Sequence, residues 1–188
     1  MIALIRRFVL STVVRPALVL TTAGSLTSFS ASFKDLTDEL PNHGEYRQRR
    51  VEDIRGVIWH HSATPQSSTP KSLADYHVNF RNWPRVGYHY AIDHNGIVYI
   101  MNKPTSVSNQ ASGHNSKTIG VVLIGNYNND TIPAKMKESI LIMQEYLKQE
   151  YNLQYSWYHG ETKATACPGK NAKKLLRRIE YGKRPVAY

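Results

Sequence analysis

Cysteine is nearly absent from this sequence, since Cys167 is the single cysteine in 188 residues. An internal disulfide is therefore excluded. Residues 1–32 hold no cysteine, so we expect no lipid anchor of the lipoprotein type. A lone thiol is either a small buried hydrophobe or a group with a chemical role, and only its neighbours can distinguish the two.

Acidic residues and long apolar runs are also scarce. Lys and Arg total 24 against 14 Asp and Glu, which gives a formal net charge of +10. Such an excess favours an anionic partner, and nucleic acid, a membrane surface and an anionic cell-wall polymer all qualify. The apolar runs near the amino terminus are too short to cross a bilayer as a helix, so we expect no stable membrane span.

The composition that remains, 41% hydrophobic and 20% charged, is typical of a soluble globular domain. Residues 1–32 begin with basic residues, continue with an apolar run that Arg15 and Pro16 interrupt, and end with small residues. This order is typical of an export signal. It predicts export to the cell envelope or the outside of the cell; the alternative is a disordered or loosely helical leader.

Residues 33–53 are mostly polar and charged and indicate a linker. We expect one folded domain over residues 54–182 and a short tail over residues 183–188. Apolar periodicity and turn residues predict alternating strands and helices within the domain: strand 57–61, a helix from the cap Thr69 to about residue 82, hairpin strands 88–93 and 97–101, strand 119–124, helix 133–151, strand 154–158 and helix 170–181. This interleaving predicts an α/β fold, a single domain with a central mixed β-sheet flanked by helices.

The stretch YHGETKATACPG at 158–169 places His159 eight positions before Cys167. Imidazole and thiolate are the commonest zinc ligands, and a catalytic zinc needs three protein ligands with a fourth position open. The third ligand is expected in the stretch VIWHHSAT at 57–64. His60 and His61 point to opposite faces of the predicted strand, so only one of them can join the site, and the spacing leaves both open.

Four motifs in order carry a resemblance to a known family: VIWHHSAT at 57–64, GYHYAI at 87–92, NSKTIGV at 115–121, and His159 with the CPG that starts at Cys167. Over roughly residues 54–180 the chain resembles the zinc-dependent N-acetylmuramoyl-L-alanine amidases, which include phage lysozyme-type amidases and animal peptidoglycan recognition proteins. The resemblance implies one zinc ion held by His60, His159 and Cys167, with His61 structural.

The resemblance also implies an activity and two further site residues. The reaction is hydrolysis of the amide between the lactyl group of N-acetylmuramic acid and L-alanine in peptidoglycan. Tyr88 matches a tyrosine near the metal-bound water and is expected to orient the attacking water. Thr165 matches a position expected to stabilise the developing oxyanion. One departure is Gln110, because many relatives have histidine there.

The implied partner is peptidoglycan. A basic run near the carboxyl terminus favours attraction to an anionic cell-wall polymer, with a solvated helix face as the alternative. Nucleic acid is not expected, since aromatic residues do not interleave with this run, and we expect a monomer. Two other functions remain open: a non-catalytic peptidoglycan-binding module, which the presence of Cys167 disfavours, and a basic nucleic-acid-binding protein. A phage lysis enzyme would lie in the host cytoplasm before its release.

Overall fold

The computed structural model describes residues 17–19, 28–179 and 181–182. The strands are β1 Ala17–Val19, β2 Ser28–Ser30, β3 Ser32–Asp35, β4 Gly56–His61, β5 Tyr90–Ile92, β6 Ile97–Ile100, β7 Thr118–Leu123 and β8 Tyr155–Tyr158. The helices are α1 Pro70–Asp75, α2 Ala134–Glu150 and α3 Lys170–Leu176. Strands and helices interleave along the domain, as the sequence predicts, with β5, β6 and β7 following one another between α1 and α2.

A mixed sheet of six strands forms the centre, in the order β3-β6-β5-β7-β4-β8. Strand β4 runs parallel to both of its neighbours, β7 and β8. Strand β5 runs parallel to β7 and antiparallel to β6. The predicted α/β fold with a central mixed sheet is therefore confirmed. Since β4 and β8 are adjacent and parallel, their carboxyl ends lie at the same edge of the sheet.

Both faces of the sheet are covered. On one face, α2 and α3 bury a cluster that includes Trp59, Val121, Met136, Ile140 and Leu176. On the other face, α1 and the loops around it form a second cluster with the sheet. That cluster includes Leu73, Val86, Met101 and Val122. Burying a large aliphatic or aromatic side chain contributes about 1.5–3 kcal/mol, so these two clusters hold the sheet edge in place.

Two helices end earlier than predicted. Thr69 caps α1 as expected, because its side chain accepts a hydrogen bond from the Ser72 N–H, but after Asp75 the chain continues as a π-helical turn, Tyr76–Phe80. Helix α3 ends at Leu176, short of the predicted residue 181. Beyond it the chain returns to the sheet edge, where Tyr181 forms a β-bridge with Ser156.

The predicted linker over residues 33–53 is wrong. Strand β3 lies in this segment and pairs in parallel with β6 at the edge of the sheet. Phe33, Leu36, Leu40 and Tyr46 are all buried. The segment reads as polar because a short edge strand turns only alternate side chains toward the core. These residues are therefore part of the domain.

Arg49 shows how firmly this segment is attached. The residue is 8% exposed, and its guanidinium donates hydrogen bonds to the carbonyl oxygens of Pro104, Asn115 and Thr118. Burial lowers its pKa to about 10, so the group stays charged at neutral pH. A buried charge held by several acceptors fixes the loop between β6 and β7 against the segment before β4.

The predicted leader lies largely outside the described residues, as does the predicted tail over residues 183–188. Within the leader, β1 and β2 pair in an antiparallel ladder. Ala31 is already buried at 2% exposure, so the folded domain begins within the predicted leader and well before its predicted start at residue 54. Among the described residues, no helix is long and apolar enough to cross a membrane.

Candidate metal centre

Three side chains converge at the carboxyl edge of the sheet. The ligand atoms offered by His60, His159 and Cys167 all lie within 4.8 Å of one another. His60 lies near the end of β4, and His159 directly follows β8. Because these strands are neighbours and parallel, the two imidazoles come side by side, with ring centroids 4.5 Å apart.

A tight loop carries Cys167 back toward His159. The Gly160 N–H donates to the carbonyl oxygen of Cys167 at 3.0 Å. Gly169 follows with a φ of 90°. A Cβ atom at Gly169 would lie 2.3 Å from the carbonyl carbon of Tyr127, so only glycine fits this close approach. The loop that presents the thiol therefore depends on Gly169.

Gln110 orients His60. His60 is 1% exposed, and its Nε2 lies 2.7 Å from Gln110 Oε1. The amide nitrogen of Gln110 donates to Thr118 Oγ1 at 2.6 Å, which fixes Oε1 as the atom that faces the ring. Nε2 therefore carries the proton of His60. Its Nδ1 faces the thiol with a free lone pair, 3.7 Å from Cys167 Sγ.

The donor set fits a zinc ion. Tetrahedral zinc with bonds of about 2.0–2.1 Å to nitrogen and about 2.3 Å to sulfur separates the two ligand atoms by about 3.6 Å. The observed Nδ1–Sγ distance is 3.7 Å. Two imidazoles and one thiolate leave a fourth position open, as in catalytic zinc sites. Structural zinc sites, by contrast, use four protein ligands.

Burial favours the uncharged form of each ligand. Desolvation lowers the pKa of His60 to about 3 and that of His159 to about 4, and it raises the pKa of the Cys167 thiol to about 11. The His61 N–H points at Sγ from 3.5 Å and acts in the opposite direction, toward the thiolate. Neutral imidazoles are the form that binds metal, and a bound cation favours loss of the thiol proton.

His61 faces away from this centre. Its Nδ1 accepts a hydrogen bond from the Tyr127 N–H at 3.1 Å, and the residue is 6% exposed. Adjacent residues of a strand point to opposite faces, so His61 belongs to the face covered by α2 and α3. The structure thus groups His60, and not His61, with His159 and Cys167.

Tyr88 lies beside the ligands. Its ring centroid is 5.2 Å from that of His60, and the side chain is half-buried. Burial raises the pKa of Tyr88 well above its usual value. The phenol therefore stays protonated at neutral pH and can donate a hydrogen bond.

Thr165 has a local contact as well as a position near the centre. Its Oγ1 accepts a hydrogen bond from the Cys167 N–H at 3.3 Å. The hydroxyl thus stabilises the turn that presents the thiol. A hydroxyl that accepts this bond still has its own proton to donate to a second partner.

Gln110 is the residue whose role the sequence did not reveal. It lies 50 positions from His60 in the chain, and no spacing rule connects a glutamine in a loop with a histidine in a strand. The one available signal was its departure from the relatives, many of which have histidine there. A glutamine or a histidine at this position can each hold the ring of His60 by a hydrogen bond.

A His-His-Cys donor set at the edge of an α/β sheet is typical of proteins in which a bound metal ion supports hydrolysis. Residues 50–170 match the family model described as N-acetylmuramoyl-L-alanine amidase. The chain belongs to this family.

Known relatives are similar to this chain over most of its length. Peptidoglycan-recognition protein LB of Drosophila melanogaster is 28% identical over 139 residues, which are 64% of this chain and 59% of that protein. This chain thus spans about three fifths of that relative's length. A peptidoglycan recognition protein of Trichoplusia ni is 29% identical over 159 residues, 79% of this chain and 86% of that one. The solved N-acetylmuramoyl-L-alanine amidase LysC from Clostridium intestinale URNW has the same fold, with a TM-score of 0.65 at 23% identity over 74% of this chain and 95% of that chain.

Proposed function

We propose that this chain is a zinc-dependent amidase that hydrolyses the bond between the lactyl group of N-acetylmuramic acid and L-alanine in peptidoglycan. One observation carries the proposal: Cys167 completes a three-ligand set with His60 and His159, with all donor atoms within 4.8 Å. A module that only binds peptidoglycan has no need for three convergent ligands, so the intact set favours catalysis over binding alone.

The residues of the chain have distinct roles in this proposal. A bound zinc ion would supply Lewis acidity and lower the pKa of a coordinated water toward neutrality. The Tyr88 phenol, beside His60, orients the attacking water by a hydrogen bond. The Thr165 hydroxyl donates a hydrogen bond to the carbonyl oxygen as negative charge develops there, and losing one such donor typically costs about 3–4 kcal/mol of barrier.

The overall reaction adds one water across the amide. The carbonyl carbon gains a hydroxyl group, and the carbon–nitrogen bond breaks. The nitrogen takes a proton and leaves as the free amine of L-alanine. The lactyl group remains on the glycan as a carboxylic acid, which is ionised at neutral pH.

The direct test is digestion of purified peptidoglycan by the full chain, with mass spectrometry of the released peptides. We expect free amino-terminal L-alanine and roughly one zinc per chain. Cys167→Ala and His159→Ala should lose both properties. His94→Ala is the matched control, because His94 is an exposed histidine in the turn between β5 and β6.

Two results would contradict the proposal. Peptides released with another amino-terminal residue would indicate cleavage of a different bond. Full zinc content in Cys167→Ala would mean that other residues hold the zinc ion.

Peptidoglycan is accordingly the proposed partner, and the names of the relatives support it. Export to the cell envelope through residues 1–32 remains part of the proposal. Expression of the full chain in bacteria, followed by fractionation and amino-terminal sequencing, tests it. A shortened chain in the envelope fraction supports export, whereas intact protein in the cytoplasm supports the phage-type alternative.

A further inference from the structure

A basic groove of about 960 Å³ lies at the amino ends of β4, β7 and β8. Four accessible cations line it: Arg47, Arg50, Arg55 and Lys117. Asp53 is the one carboxylate among the lining residues, and it is bound to Arg50 at 2.8 Å. The groove therefore presents a positive surface to any ligand that enters it.

Aromatic rings form part of the groove wall. Tyr155 and Trp157 stack with centroids 3.8 Å apart and an angle of 15°. His114 meets Trp157 edge-on at 6.1 Å. Because alternate residues of a strand share a face, β8 places Tyr155 and Trp157 on the side of the sheet from which His159 reaches the metal centre. The groove and the metal centre thus lie on the same face of the sheet, the groove toward the amino ends of β4 and β8 and the centre at their carboxyl ends.

Gly56 makes room for the outer ring of this stack. A Cβ atom at position 56 would lie 1.9 Å from Tyr155 Cε2. Because residue 56 of β4 has no side chain, the Tyr155 ring can lie against the strand there. Tyr155 is half-buried and lines the groove.

The proposed reaction changes the charge of the glycan. Each hydrolysed amide leaves a lactyl carboxylate on the sugar, so a strand stripped of its peptides is a polyanion. This inference rests on the proposed function: we propose that the basic groove binds the peptide-free glycan strand, the product of the reaction, on the same face of the sheet as the metal centre. The enzyme would then stay on a strand it has begun to process.

Each part of the groove matches a feature of this ligand. Guanidinium groups bind carboxylates through charge-assisted hydrogen bonds. The aromatic ring of Tyr155, which lines the groove, suits the apolar face of a sugar ring. The indole N–H of Trp157 is buried without an acceptor among the described residues, and a sugar hydroxyl that reached it would supply one.

Single-stranded nucleic acid fits less well. Proteins that bind it provide separate aromatic platforms for successive bases. Tyr155 and Trp157 stack on each other, so the pair offers one open face. Sugars with spaced carboxylates need only one such face together with the cations around it.

The test measures binding of the full chain to three probes over a range of salt concentrations: glycan strands stripped of peptides, the same strands with their carboxylates converted to amides, and single-stranded DNA. We expect the anionic glycan to bind at least about tenfold more tightly than the amidated one. Its affinity should fall steeply with salt.

Charge-matched variants locate the binding surface. Arg47→Gln combined with Arg55→Gln should weaken binding of the anionic glycan by about tenfold. Lys174→Gln combined with Arg178→Gln removes the same charge from an exposed basic surface near α3, and it should leave this binding nearly unchanged.

Three results would overturn the inference: equal binding of the amidated glycan, tighter binding of DNA, or equal losses in the two double variants. None of them depends on cleavage. Release of amino-terminal L-alanine from peptidoglycan, measured on the same preparation, tests the proposed function separately. A chain that binds the anionic glycan through the groove but never cleaves would refute the proposed activity and retain the binding site.

Discussion

Replacing Gln110 with methionine should weaken zinc binding without disturbing the fold. Methionine has nearly the same length and volume as glutamine, but it lacks the amide oxygen that lies 2.7 Å from Nε2 of His60. With zinc on Nδ1, the proton must stay on Nε2, where it would have no good acceptor. Without zinc, the ring can move its proton to Nδ1, which faces Cys167 Sγ at 3.7 Å. The substitution therefore penalises mainly the zinc-bound form.

The size of the effect follows from this difference. An unpaired buried donor costs about 1–3 kcal/mol. At about 1.4 kcal/mol per tenfold change, the zinc Kd should rise about 5- to 150-fold. Partners of metal-binding histidines typically contribute about 10- to 100-fold to metal affinity, so the two expectations overlap.

Competition with a chromophoric zinc chelator measures the Kd, and circular dichroism with thermal melting shows whether the variant is folded. Gln110→Glu is the matched control, because it keeps an acceptor oxygen at the same reach and should bind zinc at least as well as the wild type. A folded Gln110→Met protein with wild-type zinc affinity would refute the role assigned to Gln110.

Three further predictions concern other residues. His61→Ala should lower the free energy of unfolding by about 1–3 kcal/mol and retain zinc, whereas His60→Ala should lose zinc; elemental analysis and denaturant melts distinguish them, and the reverse result would exchange their roles. Thr165→Ala and Tyr88→Phe should each reduce turnover by roughly 10- to 1,000-fold with zinc content intact, and unchanged turnover would remove them from the chemistry. Burial lowers the pKa of His89 to about 3, so below its unfolded pKa of about 6.5 the unfolded state binds the proton first, and His89 alone contributes a loss of about 1.4 kcal/mol of stability per pH unit as the pH drops toward 3. His89→Gln should reduce the change of unfolding free energy with pH in denaturant melts between pH 6.5 and 4. An unchanged pH dependence would contradict the lowered pKa of His89.

The sequence predicted the elements whose signals are local. The apolar run of β4, the Thr69 cap of α1 and the Gly96 turn of the hairpin each depend on residues close together in the chain, and each is observed. The four motifs and their order were sufficient to predict His60, His159 and Cys167 as ligands of one site. Local patterning was sufficient for these features because strand and helix periodicity record which face is buried.

Features that depend on distant partners were not predictable in this way. Three of the four residues of strand β3 are exposed, and only its pairing with β6 makes the segment a strand. Arg49 reads as a linker charge until the carbonyl oxygens around it are known. The partnership of Gln110 with His60 depends on how the loop before β7 folds over β4. In each case the decisive contact joins residues far apart in sequence.

The position of the ligands along the chain gives a bound metal a second effect. His60 and Cys167 are 107 positions apart, so one ion bound to both is a cross-link between the first half of the domain and its carboxyl-terminal segment. A ligand that binds only the folded state stabilises it by about 4 kcal/mol at a thousandfold excess over its Kd. Removal of the metal would therefore loosen the segment that follows β8, and a protease would cut there before it reached the centre of the sheet.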